Sequence, residues 1–441
     1  MFPCPFILPA AFLLDILAGE PPNRFHPVCL IGRCALRMET LARQRWGGTF
    51  HAGIAAALAT CIAAWFGCAA LFLPFSLLPS PWAPWIPSVL VIYICVALRS
   101  LAEHARKVEN ALRSGNAGEA RHSVSMIVGR DTERMDVYGI ARAAIESVAE
   151  NLTDGVFSTL FWASAGCLAG GASGAASAAL AHRVFNILDA MWGKKNDRYR
   201  HFGTFAARTD DALNFIPARL ILPCISFSAL MVKGTSARRA LTTGWAFRNA
   251  HASPNSAWSE AAFAGALGLR LGGPVSYKGI PANYHWIGTG RTKASASDLA
   301  LAIRLMWTTA VTGTLAQVDA VIVQKLALLV LFAAGRLLLT GPGVVAGLLG
   351  RRVAAVAEQA IQERKRGGLA ALLIVLTAVL RQVAHLLRAA ECLHHLTVDV
   401  FQVLRRDAHA LHHLLHLGQA QLGGTFQAQA LIDHLVLLVH T

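Results

Sequence analysis

Two stretches of this chain, Gly53 to Leu78 and Ile86 to Leu98, carry no charged side chain at all. An apolar run of ~20 residues is what a helix needs to cross the ~30 Å hydrocarbon core of a bilayer. Inside that core only helices and closed barrels satisfy their own backbone. The chain is therefore expected to be all-α, a polytopic integral membrane protein with large cytoplasmic loops. Composition agrees, with 55% hydrophobic and 15% charged residues among 441 and a mean hydropathy of +0.47. Soluble domains carry about 25% charged residues, so a water-soluble fold would have too little charge to cover its surface.

The bend between the two runs holds Pro79, Pro81, Trp82, Pro84 and Trp85, and tryptophan suits the membrane interface. Arg24, Arg33, Arg37, Arg43 and Arg45 precede the pair, and Arg99, Arg106, Lys107 and Arg113 follow it. The positive-inside rule then puts both flanks in the cytoplasm and the bend outside. Two further runs, Val156 to Ala181 and Ala212 to Val232, are bounded by basic segments at every end. One crossing of each would leave Arg183 to Arg208 on the wrong side. A re-entrant or broken helix at Gly166, Gly170, Gly171 and Gly174 resolves this, because irregular backbone is tolerated at membrane depth where protein lines it. The same small residues also allow close helix packing, and both readings stay open. Lys233 to Met306 is polar and rich in Gly, Pro and Ser, as expected of an ordered cytoplasmic loop.

The formal charge of +15 could suggest nucleic acid, but the basic residues lie between apolar runs and no nucleic-acid module signature is present. Nucleic acid is not an expected partner. Nine cysteines are scattered without ligand spacing, which favours packing over disulfides or zinc. The apolar start, Phe2 to Leu14, has no basic residue before it and is interrupted by Asp15, so a cleaved signal peptide is not expected.

Polar residues cluster where apolar segments begin. Gly129-Arg130-Asp131-Thr132 is followed by a stretch in which Arg142, Glu146 and Glu150 recur every fourth residue, with Asn151 and Asp154 just beyond. On a helix these form one stripe. A surface salt-bridge ladder would share the spacing, but this stripe runs into an apolar segment, where carboxylates are costly and usually functional. A second cluster places Asn186 and Asp189 one turn apart and then supplies Lys194, Lys195, Arg198 and Arg200. Carboxylates, an amide and fixed cations suit a magnesium–phosphate ligand. Arg208, Asp210, Asp211 and Asn214 repeat the arrangement, and Ser253 to Asn255, Glu260 and the Gly-rich Gly268 to Pro274 complete the set. Exposed amides at a helix entry could hold an anion, although neither a Walker loop nor a dinucleotide fingerprint is present. The inventory fits a large anionic substrate with magnesium and phosphate at the cytoplasmic face, and leaves phosphoryl transfer, ligation and transport open.

Those motifs resemble the CobD/CbiB family of cobalamin biosynthesis, the cobinamide-phosphate synthases. The resemblance runs from Leu14-Asp15 through Gly19-Glu20-Pro21, His26-Pro27-Val28 and Ile31-Gly32-Arg33, with Glu20 where the family more often has Asp. It continues through Gly129 to Thr132, Ala149 to Asn151, Asn186 with Asp189, Arg198 to Arg200, Asp210-Asp211, Ser253 to Asn255 and Trp258 to Glu260, and closes at Ile303 to Trp307. It implies an enzyme joining the f-side-chain carboxylate of adenosylcobyric acid to the amine of aminopropanol phosphate. ATP and magnesium are the implied cofactors, acting through an acyl-phosphate route. Asp131, Glu150, Asp154, Asp189, Asp210 and Asp211 are the implied catalytic acids, with Asp131, Asp189 and Asp211 the implied magnesium ligands. Arg130, Asn151, Asn186, Arg198, Arg200, Arg208, Asn255 and Glu260 are the implied phosphate- and substrate-binding residues. The implied setting is the lipid bilayer of the bacterial cytoplasmic membrane, with other enzymes of the pathway as candidate partners.

Residues 1–311 carry the resemblance, and 312–340 hold a probable last apolar segment. The extension 341–441 is atypical. It holds nine of the seventeen histidines, among them His409, His412, His413 and His416 on one helical face. That spacing could ligate a transition metal, but no carboxylate or cysteine accompanies it at matching spacing. Leu/Ala/Gln/His/Arg-rich sequence of this kind also arises from a shifted or read-through reading frame, which would make Thr312 onward a non-native or dispensable end; a genuine helical extension is the alternative. The alternatives to an enzyme are a transporter for a corrinoid or other anion, which predicts inverted repeats not seen here, and a scaffold, which would not need the acids and arginines.

Overall fold

The computed structural model describes residues 6–340 except 22, 23, 25, 81, 195 and 278. The expectations for 341–441, including the histidine face, lie outside the described residues. The chain divides into two units, Met1–Lys325 and Leu326–Thr441, and the site lies in the first. Its helices are α1 (Ile7–Ala18), α2 (Pro27–Trp46), α3 (Phe50–Ser76), α4 (Trp85–Cys95), α5 (Leu98–Arg113), α6 (Ala117–Ser125), α7 (Val137–Asn151), α8 (Ser158–Trp192), α9 (Thr204–Met231), α10 (Ala237–Ala246) and α11 (Ser256–Leu267). A π-helical segment, Leu152–Phe157, joins α7 to α8, and α12 (Ala296–Thr340) begins in this unit. Among the described residues, five helical stretches are long and apolar enough to cross a membrane: Phe50–Ser76, Trp85–Arg113, Val137–Trp192, Thr204–Met231 and Ala296–Ile322. The protein is a polytopic, helical membrane protein.

The second apolar run does not form one helix. Val96 takes extended angles (φ −89°, ψ 137°), so α4 ends and α5 begins anew. Ala97 offers no side-chain cap to α5. Asp15 of α1 supplies one instead, its Oδ2 accepting from the Arg99 N–H at 3.0 Å, which satisfies a donor that a helix start leaves unpaired. Helix α5 then buries Leu98, Leu101, Ala102, Ala105, Val108 and Ala111 along one face, the spacing of an amphipathic helix.

The conflict in the charge pattern is resolved inside α8. Gly170 (φ −141°, ψ 20°) and Gly171 (φ 64°, ψ −146°) leave helical geometry, and the chain reverses. A straight helix would hold residues 159 and 182 roughly 34 Å apart, yet Thr159 Oγ1 lies 3.3 Å from His182 Nδ1. Nearer the turn, a Cβ on Gly166 would sit 2.2 Å from the Gly174 carbonyl oxygen, so only glycine permits this approach. Both sequence readings of these glycines hold: they break the helix and they let its arms pack. From Asp154 to Gly170 the first arm rises roughly 24 Å, short of the ~30 Å core. The hairpin folds back on itself at this break, the geometry that the re-entrant reading of the sequence expects.

The polar stretch before α12 is more ordered than a loop. Every residue of α11 is buried, which makes it a central helix. It packs on α10 so closely that a Cβ on Gly265 would lie 2.2 Å from the Arg239 carbonyl oxygen. The Gly-rich segment that follows forms an antiparallel ribbon of β1 (Leu271–Tyr277) and β2 (Ile280–Ile287), paired Leu271 to Ile287, with an irregularity between Gly272 and Pro274. Gly272 (φ 73°) and Gly273 (φ 85°) cannot continue a helix, and strand pairing satisfies the backbone instead. Six cysteines, at 29, 34, 61, 68, 95 and 224, are free thiols, whereas Cys167 is disulfide-bonded, against the expectation of packing alone.

Candidate active site

The stripe on α7 forms no salt-bridge ladder. Asp136 caps the helix, its Oδ1 accepting from the Gly139 N–H at 2.6 Å. One turn on, Arg142 donates to the Thr292 carbonyl at 2.7 Å and lies over the Trp286 ring at 5.4 Å, so it clamps the ribbon. Glu146 instead pairs with Arg130 at 2.5 Å and accepts from the Gly272 N–H at 2.6 Å. Glu150 accepts from Ser256 Oγ at 3.0 Å. Arg130, Glu146, Glu150, His251, Glu260 and His285 are among the residues lining a cleft of about 250 Å³. Glu260 is only 4% exposed. Burial, then the charges of Glu150 and Glu146, push its carboxyl well above the usual glutamate range, with Arg130 pulling the other way.

Immediately after Glu150 the helix widens into the π-helical segment, a feature that often marks functional sites. Asp154 lies on it, with the carboxyl groups of Asp210, Glu150, Asp189 and Asp211 within electrostatic range. Five acids thus converge from α7, the π-helical segment, the returning arm of α8, and α9. Asp210 Oδ2 accepts from Asn214 Nδ2 at 3.0 Å. Asn214 Oδ1 lies 3.1 Å from His182 Nε2, so a buried chain of polar side chains ties Asp210 to both arms of the hairpin. Its other oxygen, Oδ1, is buried with no partner. Asp211 accepts from Ser253 Oγ at 3.2 Å, and its carbonyl accepts from Asn255 Nδ2 at 2.9 Å. Asn255 Oδ1 in turn accepts from Arg219 at 3.1 Å.

Like charges gathered within electrostatic range and largely out of water repel one another, so such a cluster calls for a cation or protons. Oxygen-only donors suit a hard cation such as magnesium, and Asp210 Oδ1 has unused acceptor capacity. In donor chemistry the residues fit that ion. Among the described residues no three His, Cys, Asp or Glu side chains stand close enough together to hold a metal as they are.

Of the residues read from the sequence, Glu150, Asp154, Asp189, Asp210 and Asp211 are brought together, with Glu260 and Arg130 beside them. Asn186 accepts from Arg183 at 3.0 Å and lies next to Asp210. Asp131 is held by the ribbon: its Oδ2 accepts from Ser276 Oγ at 2.6 Å and from the Gly279 N–H at 2.7 Å. Asn151 is exposed and bonds back to Ser147 at 2.9 Å. Arg198 reaches Glu39 of α2 at 2.9 Å, and that bond raises its already high pKa further. Glu39 also accepts from Trp192 Nε1 at 3.1 Å and pairs with Arg43 at 2.8 Å, so this network fastens the loop after α8. Arg200 and Arg208 are exposed. Sequence reasoning placed Glu146 on the functional stripe without giving it a role, and did not single out His182 or Arg183. The first stood on the α7 stripe, and the other two opened the second cluster, where the later run of cations drew the assignment.

A helical membrane protein with a folded-back hairpin, an acid cluster at the hairpin base and an acid-lined cleft beside it defines the class. The CobD/Cbib protein family matches residues 8–306, and the chain belongs to that family. It is 39% identical to "Cobalamin biosynthesis protein CobD" of Klebsiella pneumoniae over 299 residues, 67% of this chain and 91% of that one. It is 38% identical to "Cobalamin biosynthesis protein CbiB" of Salmonella typhimurium over the same shares. To CobD of Photorhabdus laumondii it is 39% identical over 340 residues, 75% of this chain and 97% of that one. No solved structure matches.

Proposed function

We propose that this protein is an adenosylcobinamide-phosphate synthase, joining the f-side-chain carboxylate of adenosylcobyric acid to the amine of aminopropanol phosphate. The observation that carries the reading is the convergence of Glu150, Asp154, Asp189, Asp210 and Asp211 beside the cleft of Arg130 and Glu260, in a chain whose relatives are named for cobalamin biosynthesis. Amide formation must expel a carboxylate oxygen, which leaves poorly unless activated. ATP would serve as co-substrate, transferring its terminal phosphoryl group to that oxygen, so that ADP and then phosphate are released as the amine attacks. Magnesium, held by Asp189, Asp210 and Asp211, would offset charge on the phosphates.

The chain's own residues then have distinct tasks. Asp154, at the centre of the acids, is placed to take the proton that the attacking ammonium must lose. Arg130, held by Glu146, faces the cleft as a phosphate or carboxylate donor. The reading places the protein in the bacterial cytoplasmic membrane, with the acid cluster on the cytoplasmic side and other enzymes of the pathway as partners. The broken hairpin favours a second reading, a corrinoid transporter, since transporters bind substrates at interrupted helices.

Purified protein in maltoside detergent, incubated with adenosylcobyric acid, aminopropanol phosphate, ATP and magnesium, is expected to yield the amide-linked corrinoid phosphate by mass spectrometry. Absence of product from folded protein, together with corrinoid uptake by proteoliposomes, would favour the transporter.

A further inference from the structure

Two buried hydrogen-bond donors from distant parts of the chain lack acceptors in the same neighbourhood. His26, 5% exposed, caps α2: its Nδ1 accepts from the Val28 N–H at 3.2 Å. Because Nδ1 is the acceptor, the ring proton sits on Nε2, and Nε2 is buried with no partner. Arg183, on the returning arm of α8, donates through Nη1 to Asn186, while its Nε is likewise buried and unpartnered. The two residues lie within electrostatic range of each other: burial, the largest cause, and the charge of Arg183 both push the His26 imidazole below its usual range. Helix α2 runs alongside this arm, with Gly32 against the Met191 sulfur. Glu20 also acts on His26, but it is exposed and leaves Nε2 unsatisfied. A buried donor without an acceptor destabilises the fold, and such groups are rare without a reason.

The acids lie on the other side of Arg183. A Cβ on Gly155 would sit 3.7 Å from Arg183 Nη1, so the guanidinium lies against the residue after Asp154. Asn186, which Arg183 holds, is beside Asp210. The guanidinium therefore stands against the acid cluster with the His26 donor in its electrostatic range, and a short zwitterion would satisfy both donors at once.

We propose that His26 and Arg183 form the anion half of a subsite for a short amino-alkyl phosphate monoester, whose ammonium end lies against Asp154 and Asp210. The phosphate oxygens accept from His26 Nε2 and Arg183 Nε. This rests on the synthase reading and assigns the amine phosphate to the hairpin base, leaving the cleft at Arg130 for the other substrates.

The test is calorimetric titration of the full chain, in phosphate-free buffer and maltoside detergent, with aminopropanol phosphate, with aminopropanol and with ATP. Arg183→Gln is expected to weaken aminopropanol phosphate by about tenfold or more, the size of a lost charged hydrogen bond. ATP should stay within about twofold, and aminopropanol alone should not respond to the substitution. Arg183→Lys, which keeps the charge and loses Nε, should fall between and serves if the glutamine variant fails to fold. His26→Asn retains an oxygen to cap α2 but removes the buried Nε2–H. It should weaken aminopropanol phosphate while leaving the unfolding temperature in place. Unchanged aminopropanol phosphate binding in the variants, none in the parent protein, or a parallel loss of ATP would overturn the subsite. Product from the parent protein with unaffected variants would sink the subsite and keep the synthase. Binding that depends on Arg183 without any product from the parent protein would do the reverse.

Discussion

Glu260 shows how much a single position owes to neighbours that are remote in sequence. It is one turn along α11, yet its surroundings are Glu146 and Glu150 of α7 and Arg130 of the preceding loop. Its carboxyl, raised well above the ordinary 4.5, binds a proton in the folded chain that the unfolded chain has already released. Stability should therefore be fullest below about pH 4.5 and fall as pH rises toward the folded value. Glu260→Gln removes that dependence. Its unfolding temperature in detergent should exceed the parent's at pH 8, with the gap closing toward pH 4.5. A constant gap would mean that Glu260 does not titrate in the folded state. The acids themselves were legible, because Glu150, Asp154, Asp189 and Asp210 each abut an apolar run where chance seldom places a carboxyl group. The partners were not. Nothing in local spacing assigns Arg198 to Glu39, 159 residues away, or shows that Arg142 serves the ribbon and not Glu146.

At the scale of elements, the α8 hairpin depends on backbone contact that leaves no room for side chains. A Cβ at Gly166 or Gly174 would lie 2.2 or 2.3 Å from the facing carbonyl oxygen. Gly166→Leu should therefore force the arms apart, at a cost of about 1–3 kcal/mol from overpacking, read as a lower unfolding temperature and lost activity. Leucine at Gly67, with open space around its Cβ position, is the control. The ribbon has its own pin. Asp131→Ala deletes two hydrogen bonds to the turn, each contributing about 1 kcal/mol, and should speed proteolysis there in a timed digest. If turnover falls while cleavage is unchanged, Asp131 acts in chemistry as the family resemblance implies. The sequence revealed the hairpin through charge bookkeeping and glycine content together. It did not reveal the ribbon, because Leu271 to Ile287 interleaves Gly, Pro and polar residues in a pattern shared with ordinary loops. The burial of α11 was hidden too, since its Ser, Ala and Gly residues look polar or neutral until they are seen packed between α7, α9 and α10.

For the whole molecule, the family match ends at residue 306, and the Salmonella relative aligns over 91% of its own length within 67% of this chain. A protein ending after Thr340 should keep its product yield within about twofold and melt within a few degrees of the full chain. Loss of activity in a stably inserted truncation would give the extension a role. The membrane class was legible from apolar run length alone, because the bilayer allows so few solutions. What the hairpin adds is sidedness. Since the chain turns back at Gly170 and Gly171, Asp154 and Asp189 stand at the same end of the hairpin, within electrostatic range of each other. A ligand that reaches one of these acids therefore reaches the other from the same side of the fold, with the glycine turn at the far end of both arms.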